Sequence, residues 1–330
     1  QNLPTNVIMS QANRPSFVTL PSSTKHRTVL EFLAEQFPHI DSNVWKERMM
    51  SGKVFWRDSH CDSNSGSNSS SESGRVSEKS DRVIDETTPY QPNRTLGYYR
   101  EVTEEPQIPF DEMIVEHNNH FLIAHKPHFL PVMPGGQFVN ECLQERLIKR
   151  TGIKELQAVH RLDRDTAGLV MFSTNPETRG DYHQLFSEQK IKKAYQAIAK
   201  VPDSRSIVGK TWHIKNHVAR GEPKFRFKNT NDPSQGQYAE SLIECVEQNQ
   251  DLGLFKLSPI TGRTHQLRLH MMDIGYPILN DRFYPELQPK EEDNYQSPLQ
   301  LLAKTLQFID PLDKKDRTFN SPLSLSLECS

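Results

Sequence analysis

From Asp111 onward strand-like runs and helical segments come in mixed order rather than in strict βαβ alternation, and this order restricts the fold most. "EMIVEHNNHFLIAHKP" holds two apolar-rich runs around Asn118 and Asn119, a hairpin by composition. "KKAYQAIAKV", "AESLIECVEQ" and "LGLFKLSP" read as further strands, followed by a helix within "TGRTHQLRLHMMDIG". A doubly wound parallel sheet needs a crossover helix between successive strands. The order here predicts a mixed, largely antiparallel sheet of the α+β class. One more helix is expected in "QFVNECLQERLIKRTG", with Phe138, Cys142, Leu143, Leu147 and Ile148 supplying its apolar face and Gly152 its stop.

The first part of the chain is organised differently. Residues 1–24 are polar and interrupted by proline, so a flexible tail is expected. In residues 25–105 a small α/β unit begins: Val29, Leu30, Phe32, Leu33 and Phe37 recur at helical spacing, Pro38 ends the run, and Asp41 or Ser42 can cap a second helix through Trp45 and Met49. Gly52 closes it, and "KVFW" reads as a strand. A Ser-rich stretch at 62–80 has almost nothing to bury and reads as a disordered insertion. Strand-like composition resumes at Tyr98, Tyr99 and Val102, and a boundary is expected near Pro106 to Pro109, leaving 106–330 as the larger domain.

At 330 residues the chain can bury a sizeable core, and 35% hydrophobic residues indicate solvated segments around it. A net charge of −2 excludes a protein coated in basic charge for indiscriminate nucleic-acid binding. Locally the balance reverses: between Phe186 and Thr230 eleven Lys and Arg face Glu188, Asp203 and Glu222, so a basic groove from Lys190 to Lys228 is expected. Four cysteines without framework spacing, no apolar run long enough for a membrane and no leader pattern predict a cytoplasmic protein with no membrane association, and a monomer.

"HRLDRDTAGL", His160 to Leu169, gathers an imidazole, two guanidiniums and two carboxylates ahead of a buried-looking strand. Two readings compete. Either these charges form a solvated turn of surface ion pairs, each worth about 0–1 kcal/mol, or one carboxylate is held for chemistry by a neighbouring arginine. His117, His120, His125 and His128 suggest a metal-dependent hydrolase, but period-2 alternation sends several to different faces and no H-E-x-x-H or cysteine partner accompanies them. Exposed hairpin histidines, and no metal, are expected.

"HRLDRDTAGL", "KKAYQAIAKV" and "LSPITGRTHQLRLHM", joined by the upstream "HFLIAHKPHFLPV", occur in an order and approximate spacing that resembles the RluA family of pseudouridine synthases, over residues 108–285. The resemblance implies the pseudouridine synthase fold for the larger domain and isomerisation of uridine in structured RNA, ribosomal or transfer RNA, without an external cofactor. It carries the catalytic aspartate onto Asp163 rather than Asp165, and makes Arg161 the arginine that fills the gap left by a flipped nucleotide. Tyr195 becomes the aromatic against the uracil, with a possible share in removing the carbon 5 proton, and Arg268 the basic partner of the aspartate. Ile278 or Leu279 would supply a branched aliphatic lining for the base pocket. The 25–105 unit resembles, more loosely, the small ribosomal-protein-type RNA-binding domain that often precedes this catalytic domain; its basic surface is thin, with Lys46, Arg48 and Lys53. Three positions depart from the family pattern: His128 and Phe129 stand where a small residue and glycine are common, and Ala167 where serine is frequent. A non-catalytic RNA-binding protein keeping the fold is the alternative.

The implied roles agree with elementary physics. A uridine stacked in a helix must be flipped out, at roughly a few kcal/mol, before its glycosidic bond can be reached. Stacking on an aromatic returns about 1–3 kcal/mol per base. A carboxylate in an enclosed pocket needs a nearby arginine to oppose the effect of desolvation.

Overall fold

The computed structural model describes residues 9–22, 25–57, 84–201 and 206–327. The chain separates into two compact units, Gln1–Glu105 and Pro106–Ser330.

The first unit contains β1 (Met9–Gln11), β2 (Ser16–Thr19), α1 (Val29–Gln36), α2 (Ser42–Met50), β3 (Val54–Trp56), β4 (Thr95–Tyr98) and β5 (Glu101–Thr103). Both helices start where side chains can satisfy free backbone N–H groups: Thr28 accepts from the Glu31 N–H at 3.2 Å, and Asp41 from the Asn43 N–H at 2.8 Å. Leu33, Trp45, Met49 and Leu96 are fully buried between the helices and an antiparallel sheet ordered β2-β4-β3. Residues 9–19 correct the expectation of a flexible tail, because β1 pairs with β5 and β2 with β4. Strands of three and four residues carry too few alternations to register in a polar sequence; their partners lie about eighty residues downstream. The Ser-rich insertion at 62–80 lies outside the described residues. All three basic residues noted in this unit are paired: Lys46 with Glu86 at 2.8 Å, Arg48 with Glu101 at 3.0 Å, and Lys53 with Glu101.

The second unit adds β6 (Met113–His117), β7 (Phe121–Lys126), α3 (Leu143–Thr151), β8 (Gln157–Ala158), β9 (Ala167–Ser173), α4 (Arg179–Ser187), β10 (Lys192–Lys200), β11 (Thr211–Arg220), β12 (Phe227–Thr230), β13 (Gln237–Asn249), β14 (Leu252–Pro259), α5 (Gln266–Asp273), β15 (Leu301–Ile309) and β16 (Asp316–Asn320). The main sheet runs β12-β11-β13-β14-β10-β15-β9-β7-β6, with β16 beside β15 and β8 beside β9. Every pairing is antiparallel except β9 with β15, which makes this the mixed, largely antiparallel α+β sheet that the order of runs predicts. Helix α3 begins at Leu143 rather than Phe138, and Gly152, at φ 74°, closes it in the left-handed conformation that glycine adopts without a Cβ penalty.

One residue of β15 organises the centre. Ala303 pairs with Gly168 on the parallel side and with Tyr195 on the antiparallel side, where the register of β10 shifts between Ala194 and Tyr195. The extra residue is Lys304 of β15, and such a bulge bends the strand that carries it. Gly168, at φ 120°, lies so close that an added Cβ would sit 2.3 Å from the Ala303 carbonyl oxygen. Since both groups are backbone, neither can rotate away. A Gly168→Ala substitution is expected to destabilise the protein by about 1–3 kcal/mol or more, read as a lowered urea midpoint.

Candidate active site

The loop from His160 to Thr166 enters β9, and at each end it is pinned by buried polar groups. Lys126, at the end of β7, is completely buried and donates to the carbonyls of Pro127, Leu130 and Arg164 at 2.8, 2.8 and 2.9 Å. Burial pulls its ammonium down to about 7, a shift that the charges of Asp165 and Asp163 oppose. His128 donates through Nδ1 to the Asp165 carbonyl at 2.7 Å. Arg164 makes a two-pronged pair with Asp293, both contacts 2.7 Å. Phe129, where the resembled family commonly has glycine, adopts φ 66°; its ring is buried against Tyr295 at 5.2 Å, which compensates the strained backbone.

His160 is held neutral. Its Nε2 accepts from the Met171 N–H at 3.0 Å and its ring stacks on Phe186 at 4.4 Å, so the proton resides on Nδ1. Burial first, then the charge of Lys193, pulls this imidazole down to about 3. Between the ordinary value of 6.5 and that figure the unfolded chain binds a proton that the folded one refuses, so stability present above pH 6.5 is lost as pH falls. His125 and His270, both pulled to about 4 by burial, act in the same direction. The urea midpoint is therefore expected to fall between pH 6.5 and 5, above the range where ordinary carboxylates titrate near 4, and a His160→Gln form should flatten that slope.

Above this loop opens a cavity of about 390 Å³, within the usual range for a small-molecule site. Asp163, Tyr195, Arg268 and Arg161 all line it. The Asp163 side chain is 23% exposed; its Oδ2 lies 3.7 Å from Arg268 Nη1 and 3.9 Å from His265 Nε2. At these distances neither group makes a direct hydrogen bond to Asp163, and the Arg268 guanidinium acts on it by charge. Arg268 is committed elsewhere: Nε and Nη2 donate to Asp281 at 2.8 and 2.6 Å, and the guanidinium lies 4.8 Å from the Phe283 ring centre and 5.3 Å from that of Tyr284. Asp281 also accepts from the N–H groups of Phe283 and Tyr284. Burial and the charge of Asp163 push the Tyr195 phenol well above its ordinary value.

His265, at φ 57°, precedes α5. Tyr284 donates to the Phe227 carbonyl at 3.0 Å and accepts from the Phe227 N–H at 2.8 Å, so its oxygen is left to accept from His265 Nδ1 at 2.9 Å. Burial lowers the His265 value, and Asp163 opposes that shift.

Ile278 and Leu279, expected to line the base pocket, do not reach it. Past α5 the chain runs beside β10, where Ile278 bridges Ala199 and the Leu279 N–H donates to the Ile198 carbonyl. Ala199 is four residues beyond Tyr195, about 13 Å along the strand. Apolar lining comes instead from Ile191, Ile260, Leu267 and Leu301. The four histidines near the hairpin also part company: His125 meets Ser321, His128 the Asp165 carbonyl, His120 Thr178, and His117 is exposed. Asp281, His265 and Lys126 were missed in the sequence. His265 stands in the quoted "GRTHQLR" segment, but nothing local marks Asp281 as the partner of an arginine thirteen residues earlier.

Comparison with known proteins places the chain in a family. A family model described as RNA pseudouridylate synthase matches residues 120–273. The chain is 33% identical over 214 residues to the dual-specificity RNA pseudouridine synthase RluA of Pasteurella multocida, covering 63% of this chain and 92% of that protein. It is 26% identical over 259 residues to an uncharacterised RNA pseudouridine synthase of Synechocystis, covering 78% and 79% of the two chains. The fold is shared with human RNA pseudouridylate synthase domain containing 1, at a TM-score of 0.53 and 23% identity over 66% of this chain and 86% of that one. The chain belongs to the RluA family of RNA pseudouridine synthases and is an isomerase that acts on RNA.

Proposed function

We propose that the cavity receives a uridine flipped out of structured RNA, ribosomal or transfer RNA, and that Asp163 performs the chemistry at its sugar. The observation that carries this is the charge arrangement: Asp163 is the one carboxylate among the cavity-lining residues, and Arg268 and His265 both face its Oδ2. Cleavage of the glycosidic bond requires the carboxylate to act on the ribose, by attack at the anomeric carbon or by removal of a sugar proton; the detached uracil then turns and rejoins through carbon 5. Tyr195, on β10 opposite the bulge of β15, offers its ring to the base. With its phenol pushed up by burial, Tyr195 is a poor proton acceptor, so the base for the carbon 5 proton is better sought elsewhere. Arg161 is exposed at the rim, where it can occupy the gap left by the flipped nucleotide.

The 106–330 domain is the catalytic one in this reading, and the 25–105 unit is an accessory RNA-binding module of the ribosomal-protein type. Its helix-helix-strand order supports that role, whereas the ion pairs of Lys46, Arg48 and Lys53 leave few free cations for phosphate. The protein is proposed to work as a cytoplasmic monomer; among the described residues no helix is long and apolar enough to cross a membrane. The target is found by a position-resolved pseudouridine map of cellular RNA with the gene present and deleted. A site present only with the gene establishes the substrate; identical maps from cells known to express the protein would overturn the reading.

A further inference from the structure

We propose that Lys193, with Arg263 beside it, forms an anion subsite that takes one backbone phosphate of the RNA strand carrying the target uridine. The proposal rests on the cavity being the uridine site. Lys193 lines that cavity two residues before Tyr195 on β10, about 6.6 Å along an extended strand. Its ammonium faces Gly262, where an added Cβ would come within 3.4 Å of Nζ, so glycine keeps the space over the nitrogen open. Among the described residues Lys193 Nζ has no hydrogen-bond or ion-pair partner.

The surroundings sharpen this. Arg263 donates through Nε to the Tyr238 carbonyl at 2.9 Å, which fixes the side chain at the cavity wall beside Lys193. Burial and this second cation both pull the Lys193 ammonium below its ordinary value. The one carboxylate among the lining residues, Asp163, faces Arg268 and His265, and no ion pair joins it to Lys193. Two like charges with no counter-charge between them are relieved by an anion and gain little from a neutral uracil carbonyl. RNA supplies that anion: a nucleotide whose base lies against Tyr195 carries a phosphate on either side of its ribose. The long aliphatic stem of Lys193 can pack in the wall while its head reaches that phosphate.

The test uses the full chain and a twelve-residue oligouridylate, with binding followed by fluorescence anisotropy over a series of salt concentrations. Lys193→Met is expected to bind about tenfold more weakly near 0.1 M salt, as for loss of one hydrogen bond to a charged group. Its plot of log affinity against log salt should be shallower by about 0.7, the contribution of one phosphate contact on a single strand. Lys193→Arg should restore both. Equal salt slopes for Lys193→Met and the unaltered protein would overturn the proposal, whatever the affinities, because a merely structural lysine changes affinity without changing the number of phosphates neutralised. Circular dichroism on each variant confirms that it is folded. Asp163→Asn, measured alongside, is expected to keep the full slope; turnover by that variant would defeat the catalytic reading of Asp163 and leave the binding result for Lys193 standing.

Discussion

An Asp163→Asn enzyme is expected to form pseudouridine at least about a thousandfold more slowly than the unaltered protein, at the uridine identified by mapping, with little change in its unfolding midpoint. The two halves of this expectation come from different features. Loss of rate follows because Asp163 is the one carboxylate among the cavity-lining residues and asparagine neither attacks nor takes a proton. Stability survives because Asp163 is 23% exposed and no closer than 3.7 Å to Arg268, whose guanidinium stays satisfied by Asp281. A single-turnover assay with excess enzyme, combined with urea titration, checks both. Full turnover by Asp163→Asn would remove this residue from the chemistry.

Asp281→Ala is expected to do the reverse, with stability lost first and activity as a consequence. Arg268 is 2% exposed and the Asp281 side chain 1%, so the substitution strands a guanidinium in the interior, at about 3–5 kcal/mol. It also removes the acceptor for the N–H groups of Phe283 and Tyr284, which support the rings on either side of Arg268. Adding Arg268→Met to Asp281→Ala should recover part of the stability, because an apolar chain of similar length no longer needs a counter-ion, yet it should not recover turnover. Urea unfolding of both single variants and the double variant forms a cycle; additive losses would mean that the pair is not coupled as the geometry requires.

The charges of "HRLDRD" illustrate how much of the site the sequence could disclose. The structure sorts these residues into two groups. Arg164 forms the structural ion pairs, with its neighbour Asp165 at 3.0 Å and with the distant Asp293 at 2.7 Å, while Asp163 and Arg161 line the cavity. A linear pattern identified the charged cluster but could not divide it, since the division depends on where residue 293 returns in space. Lys126 is similar: its three acceptors, on Pro127, Leu130 and Arg164, are assembled only once β7 lies beside β9.

The sequence by itself determined what its local periodicities and motifs carry. The β6–β7 hairpin, β9, β10, β13, β14, α3 and α5 of the larger unit, the helix pair of the smaller one, the α+β class and the family are written in runs of a few to fifteen residues, where alternation, capping and residue order act at short range, whereas α4, β11, β12, β15 and β16 were not read there. Only the tertiary structure decided which residues share the cavity. Ala303 brings Gly168 and Tyr195 to one point through a parallel pairing and a bulge, Asp281 closes on Arg268, and Ile278 and Leu279 are carried about four residues along β10 from the ring they were expected to approach. The physical reason is that sheet register and side-chain pairing are set by contacts between distant segments, and such contacts leave no periodic trace in either segment alone.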